Sequence, residues 1–144
     1  TIGLNKWNDG IGVGLNGTKM QDKPWISINS FSNVFQNRIY LSWTEFDQYG
    51  STSNDHKSRI LCSYSSDSAN TFSHPVRVND IDGDARDNDN TVEGANTASL
   101  IDGTLGIVWA SENKIWFDKS VDGGNTFGED KIIATQNAGW NIKI

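Results

Sequence analysis

One eight-residue pattern constrains this chain more than any other feature. Ser-x-Asp-x-x-Asn-Thr-Phe stands at 65–72 and again at 120–127. The spacing from Asp67 to Asp122 equals that from Phe72 to Phe127, so the second copy is in register with the first. A fixed period of this kind means one supersecondary unit built more than once. The flanks agree: Arg38-Ile-Tyr-Leu-Ser-Trp43 matches Leu105-Gly-Ile-Val-Trp109, and Arg59-Ile-Leu-Cys-Ser-Tyr-Ser65 matches Lys114-Ile-Trp-Phe-Asp-Lys-Ser120. The first unit carries an extra polar insert, 47–57, and insertions within a repeat map to exposed loops.

Helical periodicity is scarce. Short apolar or alternating runs, bounded by Gly, Asn, Asp and Ser clusters, predict strands at 25–29, 38–44, 59–65, 76–79, 97–101, 105–110, 114–120 and 131–134. These form two groups of four, and 141–144 reads as the opening of a ninth strand. The fold class is therefore all-β. A four-stranded antiparallel unit repeating every ~40–55 residues predicts β-propeller blades. Residues 1–21 are then a loop or the end of a preceding blade, 22–80 one blade, 81–92 an acidic linker, 93–138 a second blade, and 139–144 the start of another. Two blades alone leave both flanking faces bare, so further blades of the same propeller, or partner chains, are expected to cover them.

Charge and composition narrow the partners. A formal charge of −6 argues against nucleic acid, whose phosphates are bound by releasing counterions to Lys and Arg. No apolar run approaches the ~20 residues that span a bilayer. Cys62 is the only cysteine, which excludes an internal disulfide and a cysteine-based metal site. It sits in a strand pattern and reads as a small buried hydrophobe. His56 and His74 have no ligand partner at useful spacing, so no zinc site is indicated.

The repeated octapeptide has a physical logic. An Asp in a tight turn accepts hydrogen bonds from backbone N–H groups just ahead of it. Gly123 and Gly124 supply positive φ at little steric cost. Ser120 and Thr126 tie off remaining polar groups, and Phe127 plugs an apolar layer between sheets. The same roles fall to Ser65, Asp67, Thr71 and Phe72 in the first copy, where Ala69 replaces the glycine. This motif resembles the Asp-box, and the chain resembles the sialidase-like Asp-box (BNR-repeat) β-propellers. Asp22-Lys-Pro-Trp-Ile-Ser-Ile-Asn29, Ile39-Tyr-Leu-Ser-Trp-Thr-Glu-Phe46, Asp89-Asn-Thr-Val-Glu-Gly-Ala95 and Gly139-Trp-Asn-Ile-Lys-Ile144 are similar to segments of secreted exo-α-sialidase-like proteins of Bacteroidetes.

The resemblance implies about two blades of a six-bladed propeller, a secreted or cell-surface location, and a glycan or sialoside ligand. It implies either glycoside hydrolysis or glycan binding, with a non-catalytic structural or adhesion propeller as the alternative. In such enzymes three arginines hold the sugar carboxylate through bidentate guanidinium contacts, and a Tyr–Glu pair replaces the usual second carboxylate. Glu93 is the candidate catalytic carboxylate, because it precedes Leu100-Ile-Asp-Gly-Thr-Leu105. The position where an arginine should follow holds Trp109 and Ala110. Asp22 falls at the place in the first unit equivalent to Glu93. Asp22, Arg38 and Arg59 are the candidate substrate contacts. The competing readings are that the two acids cap turns or pair with Lys23 and Arg86, and that Arg38, Arg59 and Arg77 occupy solvated strand edges. Arg86 is expected to pair with its acidic neighbours. Asp80, Asp82 and Asp84 alternate as calcium ligands do, but Ala85 and Thr91 stand where an EF-hand needs Gly and Glu, and a solvated acidic loop is the competing reading. No other cofactor is expected. Trp25, Trp43, Trp109, Trp116 and Trp140 read as core, with a sugar-stacking platform as the alternative.

Overall fold

The computed structural model describes residues 9–136, and those residues contain strands and turns but no helix. Nine strands form two antiparallel sheets. Sheet I runs β1 (Met20–Ile28), β2 (Ile39–Phe46), β3 (Lys57–Ser65) and β4 (Val76–Arg77), with β5 (Gly83–Asp84) added beside β3. Sheet II runs β6 (Glu93–Ser99), β7 (Leu105–Ser111), β8 (Lys114–Ser120) and β9 (Lys131–Thr135). All eight expected strands are present. The ninth expected strand, the segment 139–144 and Trp140 lie outside the described residues.

Element limits differ from those the sequence predicts: β4 stops at Arg77 rather than at 79, and β2 runs on to Phe46. β1 and β6 begin before the alternating runs that marked them, at Met20 and Glu93. Their opening residues are mostly polar, with no apolar alternation, and are interrupted by a bulge, so periodicity does not register them. The acidic linker is not all loop: Gly83 and Asp84 pair with Ser58 and Lys57. A side chain at Gly83 would meet Val92 N at 2.4 Å and Asn90 O at 2.6 Å, so this short rung requires glycine.

The hairpin registers make the repeat exact residue by residue. Ile39 pairs with Ser65 as Leu105 pairs with Ser120, so Trp43 is the counterpart of Trp109 and Leu61 of Trp116. On the inner side, Asp22 opposes Thr44 and Glu93 opposes Ala110, each followed by a bulge. Lys23 (φ 49°) and Gly94 (φ 76°) occupy the same position in the two bulges. The bulge also accommodates Pro24, which has no N–H to give a ladder.

The core lies between the sheets. Tyr40, Ile60 and Cys62 of sheet I meet Ala95, Leu105, Ile107 and Trp109 of sheet II, with Val78 and Val92 closing the ends. Burying side chains of this size contributes about 1.5–3 kcal/mol each relative to exposure. Ser42 and Thr97 share a buried hydroxyl–hydroxyl hydrogen bond across the interface, and Gly94 N donates to Thr44 Oγ1 at 3.3 Å. The Cys62 thiol is fully buried, and burial pushes its pKa up to about 12.

Because the two sheets are copies, the face of sheet I that is buried here corresponds to the face of sheet II that is not. Gly106, Val108, Ile115 and Phe117 line that outer face of sheet II and are half-buried. The outer face of sheet I carries Ile26 and Ile28, 61% and 59% exposed, beside Leu41, Trp43 and Leu61. Residues 9–19, which form no strand, cross over Trp43.

Candidate functional site

The two octapeptides close the β3–β4 and β8–β9 connections with the same Ser–Asp–Thr bonds. Ser120 Oγ donates to Asp122 Oδ1 at 2.7 Å and accepts from Gly124 N at 2.8 Å. Asp122 Oδ1 also accepts from Asn125 N and Thr126 N, while Oδ2 accepts from Thr126 Oγ1 at 2.6 Å. In the first turn Ser65 Oγ donates to Asp67 Oδ1 at 2.8 Å, and Asp67 accepts from Thr71 N and Thr71 Oγ1 at 2.9 and 2.6 Å. For Asp67 the Thr71 hydroxyl, its N–H and Ser65 lower the pKa to about 2. For Asp122 burial pushes upward, and the Thr126 and Ser120 bonds more than offset it, again giving about 2. These carboxylates are ionised turn locks whose lone pairs are already engaged.

The turns differ in what they face. Ser68 (φ 61°) and Ala69 (φ 65°) hold left-handed backbone where the second turn has Gly123 and Gly124, so both non-glycine residues carry the strain. The second turn docks on sheet I: Arg38 Nη1 donates to Gly123 O at 2.7 Å, and Tyr64 OH donates to Asn125 Oδ1 at 2.9 Å. Phe127 packs against the inter-sheet core, as expected. Phe72 does not. It lines a cavity of about 580 Å³ with Leu61, His74 and residues 11–16, on the opposite face of sheet I. The reason is positional: the face of sheet I that Phe72 lies on has no sheet packed against it among the described residues.

All four arginines are held by protein partners. Arg59, expected at a strand edge or on substrate, is largely buried. Its guanidinium bonds Glu45 Oε1 at 2.7 Å and Asp47 Oδ2 at 2.8 Å, and lies 3.5 Å from Asp82. Asp47 and Glu45 in turn raise its pKa, and Arg59 holds the Asp47 carboxyl well below the usual carboxylate range. Arg38 stacks over Tyr64, 4.0 Å from the ring centroid, while bonding Gly123 O. Arg77 binds Asn79 O, Asp80 O and Asp82. Arg86 reaches not its acidic neighbours but the insert, donating to Thr52 O at 2.9 Å and Asn54 Oδ1 at 2.8 Å.

Glu45 is a residue the sequence reading missed. It is buried, and accepts from Asn16, Lys19, Gln21 and Arg59. A Glu inside a strand that carries no other charge was the available signal, since such a charge requires partners when buried.

The candidate calcium carboxylates diverge. Asp80 exchanges backbone bonds with Asp130, Asp80 N to Asp130 Oδ2 at 2.9 Å and Asp130 N to Asp80 Oδ2 at 3.0 Å. Asp82 faces Arg59 and Arg77, and Asp84 accepts from Arg86 N, Thr91 and Asn88. Among the described residues, no three His, Cys, Asp or Glu side chains gather into a metal-binding group.

Asp22 and Glu93 do come together. Lys23 Nζ lies 2.7 Å from Glu93 Oε2 and 3.8 Å from Asp22 Oδ2. The shared bulge achieves this, because it turns both acids out of strand alternation at the same point of each sheet. Glu93 is buried and Lys23 half-exposed, so the pair opens to solvent on the Lys23 side. Tyr49, from the insert, donates to Asp87 Oδ2 at 2.5 Å. That bond raises the Tyr49 pKa, with smaller upward contributions from burial and from the charges of Asp87, Asp22 and Glu93. Neither Tyr49 nor Asp87 carried a periodic or motif signal. The shared bulges set two carboxylates around one lysine, a set that donates to and accepts from hydroxyls. It repels free anions.

No family model and no curated protein matches the chain. Solved structures do. One is a protein of unknown function from Dyadobacter fermentans DSM 18053, at 17% identity and a TM-score of 0.55, covering 69% of this chain and 26% of that one. Another is Hadza microbial sialidase Hz136, at 15% identity and a TM-score of 0.52, covering 85% of this chain and 27% of that one. The chain thus spans about a quarter of the length of these matches. At such identity the likeness is one of fold, and this chain has a distantly sialidase-like, all-β architecture of two antiparallel sheets.

Proposed function

We propose that the chain forms two blades of a sialidase-like Asp-box β-propeller and that its Asp22–Lys23–Glu93 end faces a glycan. The observation that carries this reading is the shared register. Two acids occupy the same bulge of the two inner strands, and one lysine bridges them. Carboxylates and an ammonium around an open edge bind sugar hydroxyls by charge-assisted hydrogen bonds. A secreted or cell-surface location goes with it.

The arginines favour a second reading for the chemistry. Bidentate recognition of a sialic acid carboxylate needs free guanidinium forks. Arg38, Arg59, Arg77 and Arg86 are all engaged within the protein. The segment then acts as scaffold and hydroxyl-binding surface, and any carboxylate clamp or nucleophile comes from other blades. Two measurements on the 144-residue chain test this: fluorophore release from an umbelliferyl sialoside, and binding of neutral against sialylated oligosaccharides. The expected result is no turnover, with neutral sugars bound at least as well as sialylated ones and both weakened by Glu93→Gln. Turnover, or tighter binding of the sialylated sugar, would contradict it.

A further inference from the structure

The internal interface of this chain shows which faces fit each other. The inner face of sheet I, with Tyr40, Ile60 and Cys62, is seated on the inner face of sheet II, with Ile107 and Trp109. By the hairpin registers, the outer face of sheet I repeats the second of these surfaces, with Leu41 and Trp43 at the positions of Ile107 and Trp109. The outer face of sheet II repeats the first, with Ile115 and Phe117 at the positions of Ile60 and Cys62. One molecule therefore carries, on opposite sides, two surfaces equivalent to a pair already seen packed together.

One of those surfaces is obstructed. Residues 10–19 cross the outer face of sheet I, with Gly14 lying directly on the Trp43 indole. A Cβ there would fall 2.4 Å from Trp43 Cζ2, and the φ of +71° is itself one that glycine favours. This strap takes the place over Trp43 that sheet I takes over Trp109. Its hold is light. It joins no sheet, and among the described residues its side-chain anchors are Asn16 Nδ2 to Glu45 Oε2 at 3.0 Å, Lys19 Nζ to Glu45 and Asp47 at 3.2 and 2.9 Å, and Gln21 Nε2 to Lys19 O at 3.3 Å. The cavity of about 580 Å³ lies beneath it, and Leu15 points outward, 85% exposed.

We propose that residues 10–19 are a removable cap over a self-association surface. Lifted, they let the outer face of sheet I receive the outer face of sheet II of a second copy. The contact is heterologous, the surfaces on the two copies being different, so it propagates beyond a dimer unless the rotation closes a ring. It depends on the repeat packing alone and stands or falls separately from glycan recognition at Glu93.

The test compares the wild-type chain with Gly14→Val, which the indole cannot accommodate, and with Asn16→Ala/Lys19→Ala, which cuts the anchors while keeping the glycine. Circular dichroism checks folding, the Trp43 indole N–H resonance reports lifting, and sedimentation gives mass against concentration. Both variants are expected to shift the Trp43 signal and at least double the average mass under conditions where the wild type does not. Adding Val108→Lys, on the far face, is expected to return the mass to that of the wild type. An unchanged Trp43 signal would overturn the cap. Unchanged mass with Trp43 exposed would overturn the association, and association that survives Val108→Lys would overturn the pairing of the two faces.

Discussion

Gly123→Ala tests how the second octapeptide turn is fixed to the first sheet. A methyl group at Gly123 would lie 2.4 Å from Arg38 Nη1 and 2.6 Å from the Phe35 ring. Arg38 must therefore retreat, losing its 2.7 Å bond to Gly123 O and its stacking over Tyr64. A hydrogen bond to a charged group contributes about 1.5–3 kcal/mol, and an exposed cation–π contact about 0.5–1 kcal/mol. The φ of +73° adds about 1–2 kcal/mol for a residue with a Cβ. These overlap, since a shifted arginine finds water, and a net loss of about 3 kcal/mol is expected. For a chain of this size that lowers the melting midpoint by roughly 6–12 °C. The equivalent residue of the first turn, Ser68, is exposed and already holds φ 61°, so Ser68→Ala should change little. Urea unfolding followed by tryptophan fluorescence measures both. In an Arg38→Ala background the Gly123→Ala cost should fall by the Arg38 share, leaving the backbone component and the contact with the Phe35 ring. Equal costs at positions 68 and 123, or an undiminished cost without Arg38, would refute the docking of this turn on Arg38.

Four further outcomes follow from the same geometry. Ala69→Gly should stabilise the chain by about 0.5–1 kcal/mol in the same urea assay, because relief of left-handed strain exceeds the added freedom of the unfolded chain. Asp118 and Asp130 have pKa values raised chiefly by burial, so each favours folding fully only below the ordinary carboxylate pKa, and that contribution is lost as pH rises through the raised value. Asp118→Asn should then raise the melting midpoint at pH 7 relative to wild type, with the gain fading toward pH 3, whereas Asp122→Asn should cost stability above about pH 4 and lose its effect as pH falls toward about 2. Cys62, buried and with its thiol pushed up to about 12, should stay unlabelled by a thiol reagent at pH 8 until the chain is unfolded.

The strands were legible in the sequence wherever one face is buried, because burial enforces alternation. β7 runs Leu105 to Ser111 with strictly alternating burial, and its limits were read to within one residue. The legible part stopped where another force sets the backbone. Met20 to Lys23 and the first residues of β6 belong to strands through their ladder bonds rather than through apolar side chains, and the Gly83–Asp84 rung has no side-chain signal. The octapeptides disclosed the repeat and the turn chemistry, yet a motif says nothing of what a turn faces. Phe72 and Phe127 hold the same position in the octapeptide and lie in different surroundings. In the candidate site, the equivalence of Asp22 and Glu93 could be read from the repeat, while the Lys23 bridge was only one of several partners the sequence allowed. Tyr49, Asp87 and the commitments of Arg59 and Arg86 arise from long-range contacts of the insert and linker, which no local pattern encodes.

The most direct measurement of the central claim is a titration of the isotopically labelled chain with a neutral oligosaccharide and with its sialylated counterpart, read as amide chemical-shift changes. Recognition of glycan hydroxyls at the bridged bulges predicts changes centred on Asp22, Lys23, Glu93 and Gly94, at least as large for the neutral sugar and lost in Glu93→Gln. Changes centred elsewhere, a response to the sialylated sugar alone, or none up to millimolar sugar would contradict it.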